Sequence, residues 1–154
     1  MIKLDTALYL DDVRTPTEKL IGFKPWEIVR NYEEFVQWIE TNGLPSFVSF
    51  DHDLADEHMV DYYNNQARGI QTINYDNFKE KTGIDCLNYL LEIVQNQIEA
   101  GQEPVLTTIN VHSHNPIGKA NIFHKAENFK THTGWNGHVI AFNIPFYISE
   151  NLQK

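Results

Sequence analysis

The sequence predicts an α/β domain with one mostly parallel sheet and helices on both faces. Short apolar stretches alternate along the chain with longer amphipathic stretches, and this alternation is typical of parallel sheets. Three of the apolar stretches end abruptly in titratable residues, in the segments ALYLDD, FVSFDHD and VLTTINVHSH. The chain has 154 residues and is 42% hydrophobic, which fits a single domain over residues 1–154 with a core of ordinary size.

Composition and charge exclude several classes of function. A net charge of −9 argues against binding along a nucleic-acid backbone, which requires clustered Lys and Arg. The lone Cys86 cannot form an internal disulfide, and its place in an apolar helical pattern predicts a packed thiol. The N-terminus lacks the features of a secretory signal, and no apolar run is long enough to cross a membrane. We therefore expect a soluble cytoplasmic protein without a membrane partner.

The first third of the chain predicts a strand, a loop, a weaker strand and a helix. Ala7–Leu10 is the first strand, and residues 15–25 form a loop because they contain two prolines and a glycine without a helical period. Trp26–Val29 is the weaker strand. Asn31 is a good helix N-cap and Gly43 a plausible C-terminal stop. The apolar stripe between them consists of Phe35, Val36, Trp38 and Ile39.

The middle of the chain contains the most buried predicted strand and the clearest helix. Phe47–Phe50 is a short apolar run, which is typical of a strand covered on both faces. Residues 55–82 are polar and tyrosine-rich without a clean period, so two interpretations remain open: a lid over the site or a surface insertion. A helix is predicted over 84–100, with Thr82 as its N-cap and one continuous apolar face.

The last third predicts a strand, a helix and a final strand. Val105–Val111 is apolar and follows a proline. Asn115 with a proline directly after it indicates a helix start, and the helix should run to about Phe129. A turn-rich break then precedes the final strand, His138–Ile144.

Four aspartates follow two of the buried strands, namely Asp11, Asp12, Asp51 and Asp53. The carboxyl ends of parallel strands meet at one edge of a sheet. Carboxylates that meet there raise one another's pKa unless a cation lies between them. Oxygen ligands of this kind suit Mg²⁺ or Mn²⁺. A lone Asp after a strand more often caps a turn, but two acidic clusters on two strand ends favour a metal site.

Histidines lie at the same strand ends. His112 and His114 are two residues apart, so in a strand they would point the same way and could chelate Zn²⁺, Fe or Mn²⁺. A lone His is more often a hydrogen-bonded structural residue. His52 and His112 accompany the carboxylates, however, and an imidazole is suited to proton transfer near neutral pH.

The segment after the third of these strands could bind an anion. Asn115 to Lys119 begins a helix, and a helix N-terminus presents backbone N–H groups. Gly118 would allow close approach of a phosphate, and Lys119 or Arg14 could add positive charge. The same segment is also an ordinary helix start. It supports a phosphate-binding site only because it directly follows His112 and Ser113.

Three of these motifs together resemble a known family. LYLDDVRTP and SFDHDL are similar to response-regulator receiver domains, in which an acidic pair and an Asp hold Mg²⁺. By position, Asp11 and Asp12 match the pair, Asp51 the phosphate-accepting Asp, and Ser113 the hydroxyl residue. The combination DDxR, DHDL and HSxNPxG is closer to the cyclic-phosphate processing receiver-like family. The resemblance covers residues 7–54 and 84–123. It implies a flavodoxin-like three-layer fold, here with a reduced first helix.

The resemblance implies a metal-dependent phosphoesterase acting on cyclic phosphates of nucleotides or RNA ends, a function often found beside RNA repair or in phages. Asp53 would orient a histidine or join the metal site. Two alternatives stay open: a signalling module phosphorylated on Asp51, and a sensor or sponge that binds a cyclic nucleotide without cleaving it. The last predicted strand and the residue after it, HVIAFNIP, contain no lysine, which counts against phosphorelay. The expected roles are metal binding by Asp11, Asp12 and Asp51, acid–base catalysis by His52 and His112, and phosphate binding by Arg14, Ser113, Asn115, Gly118 and Lys119.

Overall fold

The computed structural model describes residues 4–54 and 81–148. The strands are β1 Ala7–Leu10, β2 Arg14–Pro16, β3 Glu27–Val29, β4 Phe47–Phe50, β5 Thr108–Val111, β6 His138–Ile140 and β7 Phe146–Ile148. The helices are α1 Tyr32–Asn42, α2 Gly83–Glu99 and α3 Pro116–Thr133. Nearly all of the segment 55–82, interpreted as a lid or an insertion, lies outside the described residues.

Five strands form one parallel sheet in the order β3-β1-β4-β5-β6. The chain places β3 on one side of β1 and β4 on the other, so the winding direction reverses between β1 and β4, where such sheets bind ligands. In the register, Leu10 pairs with Phe50 and Phe50 with Val111. The residues that follow these three positions therefore leave the sheet at the same level, which confirms the predicted convergence of strand tips.

The three helices share one side of the sheet. Alternate strand residues, Leu10, Phe50 and Val111 among them, belong to the same buried core as Phe35 of α1 and Ile122 of α3. All three strand–helix–strand crossovers run in one direction across the sheet, and right-handed crossovers in one direction place their helices on one face. The α/β class is confirmed, but the expectation of helices on both faces is wrong for the described residues.

Loops and a small ribbon cover the opposite face. Tyr9 and Phe47 lie there. The Trp26 ring meets both in T-shaped geometry, at centroid distances of 5.5 and 5.6 Å, and the loop residue Phe23 meets Phe47 in the same way at 5.8 Å. The predicted loop 15–25 therefore takes the place of a first helix, as expected, although its first residues pair as β2 with β7 in an antiparallel ribbon. The predicted strand His138–Ile144 is too long, since β6 ends at Ile140 and a separate β7 follows.

Side-chain caps define where the helices begin. Asn31 Oδ1 accepts from the N–H of Glu34 at 2.8 Å, and Asp85 Oδ2 accepts from the N–H of Thr82 at 2.8 Å at the start of α2. Helix α3 continues past the predicted end because its stop is Gly134, whose φ of 75° suits glycine. Cys86 is fully buried in α2, as predicted, and burial raises the pKa of its thiol. No helix of the described residues could span a membrane.

Glycine at position 83 allows α2 to begin against the tip of β4. Its N–H donates to the carbonyl oxygen of His52 at 2.9 Å, and a Cβ there would overlap the backbone carbonyl of Asp51. Alanine normally favours a helix over glycine by about 1 kcal/mol. Here we expect the opposite sign: Gly83→Ala should lower the free energy of unfolding by about 1–3 kcal/mol because backbone must move.

Urea unfolding followed by circular dichroism measures this change. The control is Asn96→Ala, an exposed position of the same helix, for which a change within about 0.5 kcal/mol is expected. A Gly83→Ala protein as stable as the wild type would contradict the close approach of α2 to β4.

Candidate functional site

Three carboxylates converge where β1 and β4 end. One oxygen each of Asp11, Asp12 and Asp51 lies within 4.8 Å of the other two. Asp11 is 0% exposed and Asp51 4%, whereas Asp12 is partly exposed. Two buried carboxylates and one partly exposed carboxylate thus form a cluster that could hold one cation.

The pKa of Asp51 reflects this crowding. Burial, and then the negative charge of Asp11, raise it from 3.8 to about 6. A hydrogen bond with the Ser113 hydroxyl acts in the opposite direction, and the N–H of His52 donates to Asp51 Oδ1 at 2.8 Å. Keeping Asp51 ionised in the folded protein therefore costs free energy, and a bound cation would remove that cost.

Asp11 is the carboxylate that stays ionised. Its Oδ1 accepts from the N–H groups of Val13 and Arg14, at 2.9 and 2.8 Å. Its Oδ2 lies 3.0 Å from His112 Nε2. Burial alone would raise the pKa of Asp11, but the hydrogen bonds from His112 and the two backbone groups hold it below its ordinary value. The two buried carboxylates thus differ in their readiness to accept a proton.

His112 is enclosed rather than open to a substrate. It is 4% exposed, and its two ring nitrogens contact Asp11 and Ser49, at 3.0 and 2.6 Å. Burial lowers its pKa, so the neutral ring donates its Nε2–H to Asp11 and accepts from the Ser49 hydroxyl. His114 is exposed and lies against Phe146 instead. The two histidines do not act as a chelating pair with the carboxylates, since the metal-capable cluster among the described residues contains neither.

His52 offers an imidazole nearer to solvent. Its side chain is 20% exposed, and Nδ1 lies 2.9 Å from Asp53 Oδ1. Asn115 Nδ2 donates to the other oxygen of Asp53 at 3.3 Å. Gly118 lies against the ring so closely that a Cβ there would overlap it. Asp53 and Gly118 therefore fix the plane of the ring, and Nε2 has no hydrogen-bond partner in the described part of the chain.

Two arginines surround the cluster. The Nε of Arg14 is 3.6 Å from Asp11 Oδ2, its Nη1 donates to the carbonyl of His112 at 3.2 Å, and its guanidinium lies 5.0 Å from the centre of the Phe146 ring. Arg30 donates to the carbonyl oxygens of Asp11 and Arg14, at 3.2 and 2.6 Å. Both guanidinium groups place positive charge beside the carboxylates and stiffen the segment after β1.

A model of the family described as the cyclic-phosphate processing receiver domain matches residues 6–128. The chain belongs to this family. The resemblance carried by the three sequence motifs is thereby confirmed, and with it the receiver-like α/β fold. Comparisons with curated proteins and with solved structures gave no match. The matched region of this cyclic-phosphate processing receiver domain includes every residue of the site described above except Phe146.

The carboxylate cluster of this receiver domain fits a hard divalent cation. Its donors are carboxylate oxygens alone, which Mg²⁺ and Mn²⁺ accept readily. The raised pKa of Asp51 is a second reason to expect a cation here. It shows that burial and the charge of Asp11 disfavour the ionised form of Asp51, and a bound cation would offset both. Asp11, Asp12 and Asp51 are thus the residues that would hold the ion.

The predicted phosphate-binding segment is only partly available in this receiver domain. Asn115 Oδ1 accepts from the N–H groups of Ile117 and Gly118, both at 3.1 Å, so these groups cap α3 rather than stand free. Ser113 is buried beside Asp51, and its hydroxyl accepts from the N–H of Asn115 at 3.2 Å. Lys119 lies in the first turn of α3, and among the described residues its side chain forms no hydrogen bond or ion pair with the site.

Sequence reasoning missed four residues that shape this site. Ser49 and Asn110 look like minor polar interruptions of apolar strands, and Arg30 follows a weak strand without a motif. Tyr9 is indistinguishable from an ordinary core aromatic. A usable signal was the polar residue in the third position of both FVSF and TINV, because a buried strand has no reason to hold a polar side chain without a partner.

Proposed function

We propose that this protein is a metal-dependent phosphoesterase that opens cyclic phosphodiesters on nucleotides or RNA ends. One observation carries the proposal: a carboxylate cluster able to hold a cation adjoins an imidazole already aligned by a carboxylate, in the sequence Asp51-His52-Asp53. A domain that only accepts a phosphoryl group requires the cluster but has no use for the aligned imidazole.

The cluster would place the cyclic phosphate. Asp11, Asp12 and Asp51 would hold a divalent ion, which would supply positive charge to the phosphoryl oxygens. The guanidinium of Arg14 and the hydroxyl of Ser113 would donate to the same oxygens. Asn115 and Lys119, at the start of α3, would reach the phosphate only from farther out, since Asn115 already bonds with Asp53. Donors fixed in advance stabilise charge that develops in the transition state, and they do so most strongly where water is excluded.

His52 would transfer the protons. With Nδ1–H donated to Asp53, its Nε2 accepts a proton from the attacking water, whose oxygen forms the new P–O bond. The ring ester P–O bond breaks, and the departing oxygen takes the proton back from the imidazolium. The product is a phosphomonoester beside a free hydroxyl, and water is the only reagent consumed.

His112 has a different role in this proposal than in the sequence-based hypothesis. A second acid–base group would need a ring nitrogen facing the substrate, but both nitrogens of His112 already have partners inside the protein. We therefore assign proton transfer to His52 alone and leave His112 the task of holding Asp11.

The test is hydrolysis of 2′,3′-cyclic nucleotides and of RNA with a cyclic phosphate end, followed by ³¹P NMR. We expect monoester to form with Mg²⁺ or Mn²⁺ and not with EDTA. The Asp51→Asn variant, which lacks one of the three carboxylates, should form far less. Its matched control is Glu92→Gln, which changes the net charge by the same amount but lies on the exposed side of α2. Absence of monoester from the wild type with every divalent cation tried would refute the proposal.

Phosphorylation of Asp51 is the second candidate, supported by the hydrogen bond between Ser113 and Asp51. It predicts labelling by acetyl phosphate with Mg²⁺ and no turnover of phosphodiesters. The strand that would carry the receiver lysine, β6, is followed by Ala141 and Phe142 instead. A sensor or sponge would bind the cyclic nucleotide and return it unchanged after hours of incubation.

A further inference from the structure

A buried chain of hydrogen bonds runs across the sheet to Asp11. Asn110 Nδ2 donates to Ser49 Oγ at 2.9 Å, the Ser49 hydroxyl contacts His112 Nδ1 at 2.6 Å, and His112 Nε2 contacts Asp11 Oδ2 at 3.0 Å. Asn110, Ser49 and Asp11 are 0% exposed and His112 is 4% exposed. Four buried polar side chains, two within β4 and β5 and two directly after β1 and β5, are therefore linked to one another.

The chain has a defined direction. The Nδ2 of Asn110 can only donate, so Ser49 Oγ accepts from it and directs its own hydrogen to His112. His112 then accepts at Nδ1 and carries its hydrogen at Nε2, where it donates to Asp11. Each side chain in this chain of hydrogen bonds thus determines where the next one carries its hydrogen. Because the Ser49 hydroxyl donates to Nδ1, His112 carries its own hydrogen on Nε2.

Two further contacts hold this chain in place. Asn110 is fixed to the backbone of Phe142, accepting from its N–H at 2.6 Å and donating to its carbonyl at 3.0 Å. The Tyr9 ring stacks on His112 with a centroid distance of 4.3 Å and an angle of 5° between the planes. The imidazole can neither tilt nor rotate without breaking one of these contacts.

We infer that Asn110, Ser49 and His112 are positioning residues for the cation, which fix one oxygen of Asp11 and orient the carboxylate toward the metal site. The inference rests on the proposed metal site and concerns residues outside the ligand set. Groups that hydrogen-bond a metal ligand orient it, and losing one typically weakens metal binding about 10–100-fold.

The experiment measures Mn²⁺ affinity by electron paramagnetic resonance, independently of any substrate. Ser49→Ala removes the donor to His112 and should weaken Mn²⁺ binding about tenfold. Its matched control is Ser46→Ala, directly before the same strand, whose hydroxyl donates to the carbonyl oxygen of Thr6 at 3.3 Å. Affinity of the Ser46→Ala protein should stay within about twofold of the wild type, because that bond lies far from the chain to Asp11.

Two substitutions of His112 separate positioning from packing. His112→Gln keeps an amide N–H near the place of Nε2 and should retain most of the affinity. His112→Asn keeps a group near Nδ1 only and should lose about 10–100-fold. Thermal unfolding of all four variants shows that each is folded at the temperature of measurement.

The outcomes are distinguishable. Wild-type and Ser49→Ala proteins that bind Mn²⁺ equally well overturn the inference and leave the metal site standing, as does equal affinity of the His112→Gln and His112→Asn proteins. A wild type that binds no Mn²⁺ overturns the metal site of the proposed function, and the inference with it.

Discussion

Asp51→Asn should abolish turnover and, in the absence of metal, stabilise the protein at pH 7. Loss of one of three ligands removes the cation site, for which we expect activity to fall at least about 10³-fold. The gain in stability arises because ionised Asp51 is crowded by burial and by Asp11. An amide of the same shape has no charge to desolvate and can still bond with Ser113.

The sign follows from the pKa. The pKa of Asp51 is raised from 3.8 to about 6 in the folded protein, so the folded state binds this proton more tightly than the unfolded chain. The metal-free wild type should gain stability from Asp51 as pH falls from about 6 toward 4, by up to about 3 kcal/mol. Asp11 has the opposite effect, and at lower pH. Because its pKa is depressed in the folded protein, the stability that it contributes is lost as the pH falls below 3.8.

Chemical denaturation at pH 7 and pH 5, with EDTA, measures this effect. At pH 7 the Asp51→Asn protein should exceed the wild type by about 2 kcal/mol, and the difference should shrink at pH 5. Adding Mg²⁺ should stabilise the wild type by about 2.7 kcal/mol at a hundredfold excess over its Kd, and it should not stabilise the Asp51→Asn protein. The Glu92→Gln protein should follow the wild type throughout. Equal stability of wild-type and Asp51→Asn proteins at pH 7 would mean that Asp51 is not under electrostatic stress.

The second large effect is expected at His52. His52→Ala should reduce kcat about 10²–10⁴-fold, the usual contribution of a positioned acid–base group. Affinity for Mn²⁺ should remain within about twofold, because His52 is outside the cluster that could hold the ion. The exposed His124→Ala on α3 is the matched control, with turnover like that of the wild type.

Gly118→Ala tests the same imidazole without removing it. The new Cβ would overlap the His52 ring, so the ring must leave its place beside Asp53. We expect the Gly118→Ala protein to lose much of the kcat that His52→Ala loses, while its circular dichroism stays helical. If the His52→Ala protein keeps a third or more of wild-type kcat, another group transfers the proton and His52 has no catalytic role.

The motifs in the sequence predicted the residues of the site, but not their environments. Asp11, Asp12 and Asp51 follow short apolar strands, and parallel strands end together, so their convergence could be deduced from order alone. His52 and Asp53 are adjacent in sequence, and their pairing is local. The role of His112 could not be deduced this way, because it depends on Ser49 and Asn110, which reach it only through strand pairing.

The fold shows the same division. The order of the elements along the chain follows from local patterns. So do the helix caps Asn31, Thr82 and Asn115, whose side chains bond within a few residues of themselves. The face on which the helices pack depends on the direction of every crossover together. The β2–β7 ribbon depends on two segments about 130 residues apart in sequence, and neither has a strand pattern of its own.

The sequence by itself determined that acidic residues and imidazoles stand at the tips of buried strands. Both the spacing of apolar residues in a strand and the residue types that end it can be read from neighbouring positions in the chain. Only the tertiary structure decided which imidazole is sealed against Asp11 and which stays near solvent. That difference comes from burial and from hydrogen-bond partners on other strands. Neither can be deduced from residues that are near one another in the sequence.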